Sequence, residues 1–255
     1  MRTKLLTLPT INVIFWQNQN EYYSPKELTR EVTAGLKHAS KAGLIDSMLA
    51  GFSSNADVVE EIINRIRIGS SEDDYTDDEL LIIFDLIQGW GGAQGRWPYI
   101  KPKSKPVRIN YPKFCQNYRK AVSQLFNMQK VGVSAADIND ANRTICELPQ
   151  VGISFSSKHL QFWSIGLDLI PKLAIFDSRM KQLIGGASGC RPDGVTYIEF
   201  LETLETAAKR IGVSSEIYER SLFAFSKNYF PNESLRLKDQ LQITEDIGVA
   251  RSLAI

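Results

Sequence analysis

Between Ser24 and Tyr229 the apolar residues recur at three- and four-residue intervals, and most of these runs open on a residue that caps helices. A chain patterned this way buries its apolar surface by packing helix against helix. Ser24-Pro25-Lys26-Glu27 combines a capping box with Pro at the first helical position, and predicts a helix bearing Leu28, Val32 and Leu36. Ser54-Asn55 opens a run through Val59, Ile62, Ile63 and Ile66 that closes at Gly69. Thr76-Asp77-Asp78-Glu79 is a second capping box, ahead of Leu80, Ile83, Phe84 and Ile87. Further helical runs span Phe114 to Met128, Ile138 to Leu148 behind the cap Ser134, Met180 to Ile184 ending at Gly185-Gly186, Tyr197 to Ile211 behind Thr196, and Ile217 to Tyr229. Ile11 to Trp16 (INVIFW) is β-prone and predicts a short strand or extended arm. The sum is about nine or ten helices with very little strand, so the expected fold class is mainly α.

The 255 residues, 43% hydrophobic and 23% charged, suffice for one large domain or two intimately packed lobes, and no obvious linker or internal repeat divides them. No run approaches the roughly 18 apolar residues that span a membrane. Leu5 to Leu8 is too short for a signal-peptide core, so a cytoplasmic protein with no membrane partner is expected. Cys115, Cys146 and Cys190 are odd in number and widely spaced, which fits neither a disulfide framework nor a metal site. With His38 and His159 as the only histidines, a Ser-His-Asp triad or a histidine-based metal centre also lacks material, and no cofactor is expected.

A formal net charge of +1 hides a strong asymmetry. Glu72, Asp73, Asp74, Asp77, Asp78, Glu79 and Asp85 crowd one segment, and from Leu86 to Ala136 there is no acidic residue. That acid-free stretch holds Arg96, Lys101, Lys103, Lys105, Arg108, Lys113, Arg119, Lys120 and Lys130, the unbalanced positive block that a polyanion contact requires. It opens on Gly89-Trp90-Gly91-Gly92-Ala93-Gln94-Gly95-Arg96-Trp97-Pro98-Tyr99, which reads as irregular backbone rather than helix. No Gly-Lys-Ser/Thr closes it, so it is not a phosphate-binding loop of the nucleotide-hydrolase type. Tyr99, Tyr111, Phe114 and Tyr118 interleave with the basic residues, as flat groups that stack bases do with groups that hold phosphate.

The stretch from Leu148 to Met180, LPQVGISFSSKHLQFWSIGLDLIPKLAIFDSRM, brings the remaining chemistry together. Pro149 ends one helical pattern, and Gly152 supplies a backbone free to take positive φ or to lie close against another surface. Ile153 to Trp163 reads as a short amphipathic helix, with Phe155, His159, Leu160 and Trp163 available for packing and Lys158 on a different face. Lys172 to Phe176 then leads to Asp177, which opens another helix before Ser178-Arg179-Met180. Taken singly, Asp177 is equally a helix cap and Lys158 a solvated helical lysine.

In LPQVG, SSKHL and IFDSR the chain resembles the helix-hairpin-helix DNA glycosylases, specifically their oxoguanine-glycosylase-like bacterial branch. The three motifs stand as hairpin, catalytic-lysine helix and catalytic-aspartate turn, with 19 residues between Lys158 and Asp177 as in lysine-bearing members. Two features depart from the pattern: Gln150 stands where the hairpin has Gly, and Lys158 follows Gly152 by six positions rather than almost directly. The likeness covers about 30 residues, within a hairpin and catalytic segment of 134–184.

The resemblance implies a two-lobed helical glycosylase fold over residues 1–255, acting as a monomer on double-stranded DNA that contains a modified base. Oxidised guanine, or a bulky modified cytosine such as glucosylated hydroxymethylcytosine, is the implied target, in repair or in phage defence. Lys158 and Asp177 are the implied catalytic pair, with strand cleavage added if Lys158 is the nucleophile. Val151, Gly152, Ile153 and Ser154 are the hairpin's DNA contacts, joined by Arg96, Trp97, Lys101, Lys103 and Lys105. Trp90, Phe155 and Arg179 are candidates for the base pocket or the wedge that fills the gap left by a flipped nucleotide. A DNA-binding module without chemistry, or an all-α interaction protein whose basic block docks an acidic partner, are the other readings of the same residues.

Overall fold

Capping residues set most helix boundaries. The computed structural model describes residues 6–92, 111–148, 151–189 and 191–229, and the described residues are mainly helical with no strand among them. In chain order the helices are α1 Val13–Gln17, α2 Arg30–Ala39, α3 Asn55–Arg67, α4 Asp77–Trp90, α5 Tyr111–Val131, α6 Ala135–Cys146, α7 Ile153–Gly166, α8 Ser178–Ala187, α9 Tyr197–Ile211 and α10 Ser215–Tyr229. Ser54, Thr76 and Thr196 close full capping boxes with Asp57, Glu79 and Glu199, while Ser134 accepts from the Asp137 N–H. These bonds hold the Asp57 carboxyl at about 2 and draw Glu79 below its ordinary range, because the ionised form accepts them.

The chain divides into two units, one of Glu21–Leu173 and one of Met1–Asn20 with Ala174–Ile255. In the larger unit α4 is the hub, packing on α2, α3, α5 and α7. The tightest crossing is with α2, where Gly35 meets α4 so closely that an added Cβ would lie 2.0 Å from the Gly89 carbonyl oxygen. A Cβ on Gly89 would in turn meet the Leu36 Cα at 3.1 Å, so two glycines facing each other set the helix separation. A similar approach occurs at the end of α7, where Gly166 lies against Ile66 of α3. In the smaller unit α10 packs on α1, α8 and α9.

Several sequence expectations fail for identifiable reasons. INVIFW is not a strand: Asn12 accepts from the Phe15 N–H at 3.1 Å and caps α1, while Trp16 packs edge-on against Phe225 of α10, 5.6 Å between centroids. Ser24 does not open α2; its hydroxyl accepts from the Lys26 N–H in a local turn, and the helix starts at Arg30 behind Thr29. Gly89 and Trp90 belong to α4 rather than to an irregular loop, and Gly185-Gly186 lie within α8. The acidic cluster also has a structural use. Glu72 accepts from the Ser123 hydroxyl at 2.6 Å, and Arg119 bonds the Glu72 and Tyr75 carbonyls and the Asp77 carboxylate.

Gly35→Ala is expected to destabilise the protein by on the order of 3 kcal/mol, since backbone cannot yield to the added methyl as a flexible side chain would. Gly51→Ala, where a Cβ meets nothing within 4 Å, is the control and should leave the thermal midpoint unchanged. Equal midpoints for the two variants would show that the α2–α4 crossing relaxes without loss.

Candidate functional site

The turn between α6 and α7 is short and held by the backbone. The Leu148 N–H reaches the Ile145 carbonyl and the Val151 N–H the Leu148 carbonyl, each at 3.1 Å. Val151 is buried, whereas Gly152 is exposed with φ −91° and nothing within 4 Å of a built Cβ. Neither a left-handed backbone nor a crowded neighbour among the described residues therefore requires glycine there. Its carbonyl receives the Phe155 and Ser156 N–H groups, but the N–H groups of Gly152, Ile153 and Ser154 have no acceptor among the described residues. Below the turn a polar clasp joins the two helices. The Ser156 hydroxyl donates to Asn142 Oδ1 at 2.6 Å, and the Cys146 thiol to Ser156 Oγ at 3.2 Å.

α7 is not amphipathic. Every residue from Ser156 to Gly166 is buried, because α3, α4, α5 and α6 all pack against it. Lys158, which the sequence pattern sets on a different face from the packing residues, is 9% exposed. Its Nζ donates to Ser154 Oγ at 3.2 Å and to the Ser154 carbonyl at 3.3 Å, and lies 4.5 Å from the Phe155 ring centroid. A Cβ on Gly91 would stand 2.6 Å from Phe155 Cε1 and 3.2 Å from Lys158 Cδ. Gly91 thus admits both side chains against the end of α4, a role its place in a glycine cluster hinted at. The structure brings Ser154, Phe155 and Lys158 together.

His159, next along α7, lies in a fully buried network that sequence reasoning assigned only to packing. The Trp163 indole donates to the Tyr118 hydroxyl at 2.9 Å, Tyr118 meets His159 Nδ1 at 2.9 Å, and Gln88 faces Nε2 at 3.4 Å. The Phe84 ring stacks on the imidazole at 4.6 Å. The Tyr118 hydroxyl and His159 Nδ1 share one hydrogen bond and the Gln88 amide nitrogen faces Nε2, so the direction of the Tyr118 bond follows the ring's tautomer. Burial, with the charge of Lys158 adding to it, lowers the His159 pKa to about 3.

Asp177 belongs to the other unit, where it caps α8. Its Oδ1 accepts from the Arg179 and Met180 N–H groups, both at 3.0 Å, and Oδ2 takes no hydrogen bond from any described residue. Just before it, Phe176 stacks on Phe200 at 4.8 Å and on Tyr197 at 5.9 Å. The Tyr197 hydroxyl donates to the Ala174 carbonyl at 2.8 Å. Arg179 is half-buried.

Trp90 is a core residue, 2% exposed, with its indole N–H on the Tyr22 carbonyl and its ring edge-on to Tyr22, Tyr23 and Phe162. Phe114 and Tyr118 are buried against Phe84 and so present no face to a base. Arg96, Trp97, Lys101, Lys103 and Lys105 lie outside the described residues. Of the basic residues in α5, Lys113, Lys120 and Lys130 are exposed, whereas Arg119 is engaged internally. No helix among the described residues is long and apolar enough to cross a membrane. No protein-family model, curated protein or solved structure matches the chain.

The buried histidine makes stability depend on pH. Unfolded, the imidazole titrates near 6.5; folded, it resists protonation down to about 3. Protons bind the unfolded chain first as pH falls, so stability present above 6.5 is lost progressively below it. Between pH 7 and pH 5 the loss should be about 2 kcal/mol by linkage, before most carboxylates titrate. Urea denaturation at the two pH values measures it, and His159→Gln should flatten the difference. An equally steep difference in that variant would place the titration elsewhere.

Proposed function

We propose that the protein is a DNA glycosylase of the helix-hairpin-helix kind, which turns a modified base out of duplex DNA and cuts its glycosidic bond. The observation that carries this reading is the burial of Lys158. Lysine is rarely buried, and then usually paired, because its ammonium gives up hydration that a solvated helix face would have kept. Here it sits on the helix that follows a short turn, and that helix begins with three N–H groups open to an acceptor. Such a terminus suits a DNA phosphate, and the exposed Gly152 leaves room for it. The acid-free basic stretch supplies the long-range attraction to a polyanion.

In this reading the base leaves the stack because its glycosidic bond is shielded in the duplex. As the bond to the base breaks, positive charge develops on the sugar, and the Asp177 carboxylate stabilises it. One oxygen tied to two backbone N–H groups fixes that carboxylate in place, and the other takes no bond from a described residue. Lys158, once deprotonated, attacks the sugar carbon; loss of the base leaves an imine through which the strand is cleaved. Oxidised guanine and glucosylated hydroxymethylcytosine are the target bases to compare. Phe155 and Arg179, both half-buried, remain the candidates for the wedge or pocket.

Duplexes carrying each base, incubated with protein and treated with alkali, reveal excision as strand breaks. Asp177→Asn keeps the shape and the cap but removes the charge. It should bind duplex as the parent does and excise roughly 10²-fold more slowly. Near-normal excision by a folded Asp177→Asn protein would sink this mechanism.

Lys158 is tested by borohydride reduction, which should trap a covalent protein–DNA adduct that Lys158→Gln cannot form. An enzyme that excises the base but gives no adduct would make water the nucleophile and Lys158 a fixed cation.

A further inference from the structure

We infer that Tyr197 is a positioning residue for Asp177: its buried hydroxyl fixes the backbone that delivers the carboxylate, an assignment that rests on the glycosylase reading for its catalytic consequence. Residues 172–177 have no regular secondary structure, so neither a helix nor a sheet ladder orders the approach to Asp177. Ala174, Ile175 and Phe176 are nonetheless buried. Among the described residues, the bond from Tyr197 to the Ala174 carbonyl, at 2.8 Å, is the one hydrogen bond on the backbone of Ala174 and Ile175.

The same tyrosine then acts a second time. Its ring lies 5.9 Å from Phe176 and nearly parallel to it, at 27°, while Phe200 stacks on Phe176 at 4.8 Å and 20°. Tyr197 and Phe200 sit one turn apart in α9, so a single helix face grips the carbonyl three residues before Asp177 and the ring immediately before it. Lys181, in the first turns of α8, brings its Nζ to 5.3 Å from the Phe176 centroid. Asp177 therefore has its backbone fixed from α9 and its Oδ1 fixed from α8, which leaves Oδ2 as the directed atom.

A carboxylate that meets developing charge acts best when no reorganisation is needed, and Tyr197 is the group that removes the slack. Tyr197→Phe deletes only the hydroxyl and keeps the ring. Amide hydrogen exchange at Arg179 and Met180, whose N–H groups bond Oδ1, should quicken about tenfold, the scale of one lost buried hydrogen bond, with α10 amides unchanged. Single-turnover excision at saturating duplex should fall about tenfold with the duplex Kd unchanged. Phe200→Leu, which retains the hydroxyl and removes one stacked ring, should shift both readouts the same way by less, and it decides the matter if Tyr197→Phe does not fold. Unchanged exchange at Arg179 and Met180 in a folded variant overturns the inference. So does altered exchange with undiminished excision. If the parent excises no base at all, the glycosylase reading falls, and the exchange result still decides whether Tyr197 fixes the carboxylate.

Discussion

A helix with no wet face must find a partner inside the protein for every polar atom it carries, and α7 has no wet face from Ser156 to Gly166. Its sequence there is not an apolar one: Ser156, Ser157, Lys158, His159, Gln161 and Ser164 are all buried. Ser156 is bonded to Asn142 of α6, His159 to Tyr118 of α5 with Gln88 of α4 facing it, Gln161 accepts from Tyr23, and Ser164 accepts from the Leu173 N–H. Each of these bonds reaches a different segment, so the position of α7 is set by polar geometry as well as by apolar contact. An apolar helix could slide or rotate at modest cost; this one would break several buried hydrogen bonds at once.

The close glycine contacts serve the same end. Gly35 and Gly89 draw α2 onto α4, Gly166 draws α7 onto Ile66, and Gly91 admits Phe155 and Lys158. Close approach shortens the reach between backbones. A network of short side chains such as Ser156 and Ser164 can then span neighbouring elements. Larger residues at these glycines would hold the helices apart and leave buried hydroxyls without partners.

What was legible in the sequence follows from how local each signal is. Ser54, Thr76, Ser134 and Thr196 are legible as caps because the bond they make is complete within three residues. Ser24 carries the same lettering but uses its hydroxyl in a turn, and nothing within five residues distinguishes the two uses. INVIFW has strand propensity, yet the partner that decides its state is Phe225, more than 200 residues away. The burial of α7 was invisible for the same reason. Lys158 reads as a residue apart from the packing face, and His159 as mere packing, until Gly91, Gln88 and Tyr118 are brought to them by other helices. Asp177 was legible as a cap and as a charge, but not the pinning of its backbone from α9.

The surroundings of Lys158 explain why lysine in particular fits. Its four-carbon stem lies along the opening that Gly91 leaves, and only the last atom needs polar company. That company includes a hydroxyl, a backbone carbonyl and an aromatic face from the preceding turn of the same helix. None of the three is a full negative charge. Arginine would present a broader planar head to a site shaped for one compact cation, and glutamine would supply the length without the charge. The local geometry therefore holds the lysine stem between Gly91 and Phe155, with Ser154 beside its ammonium.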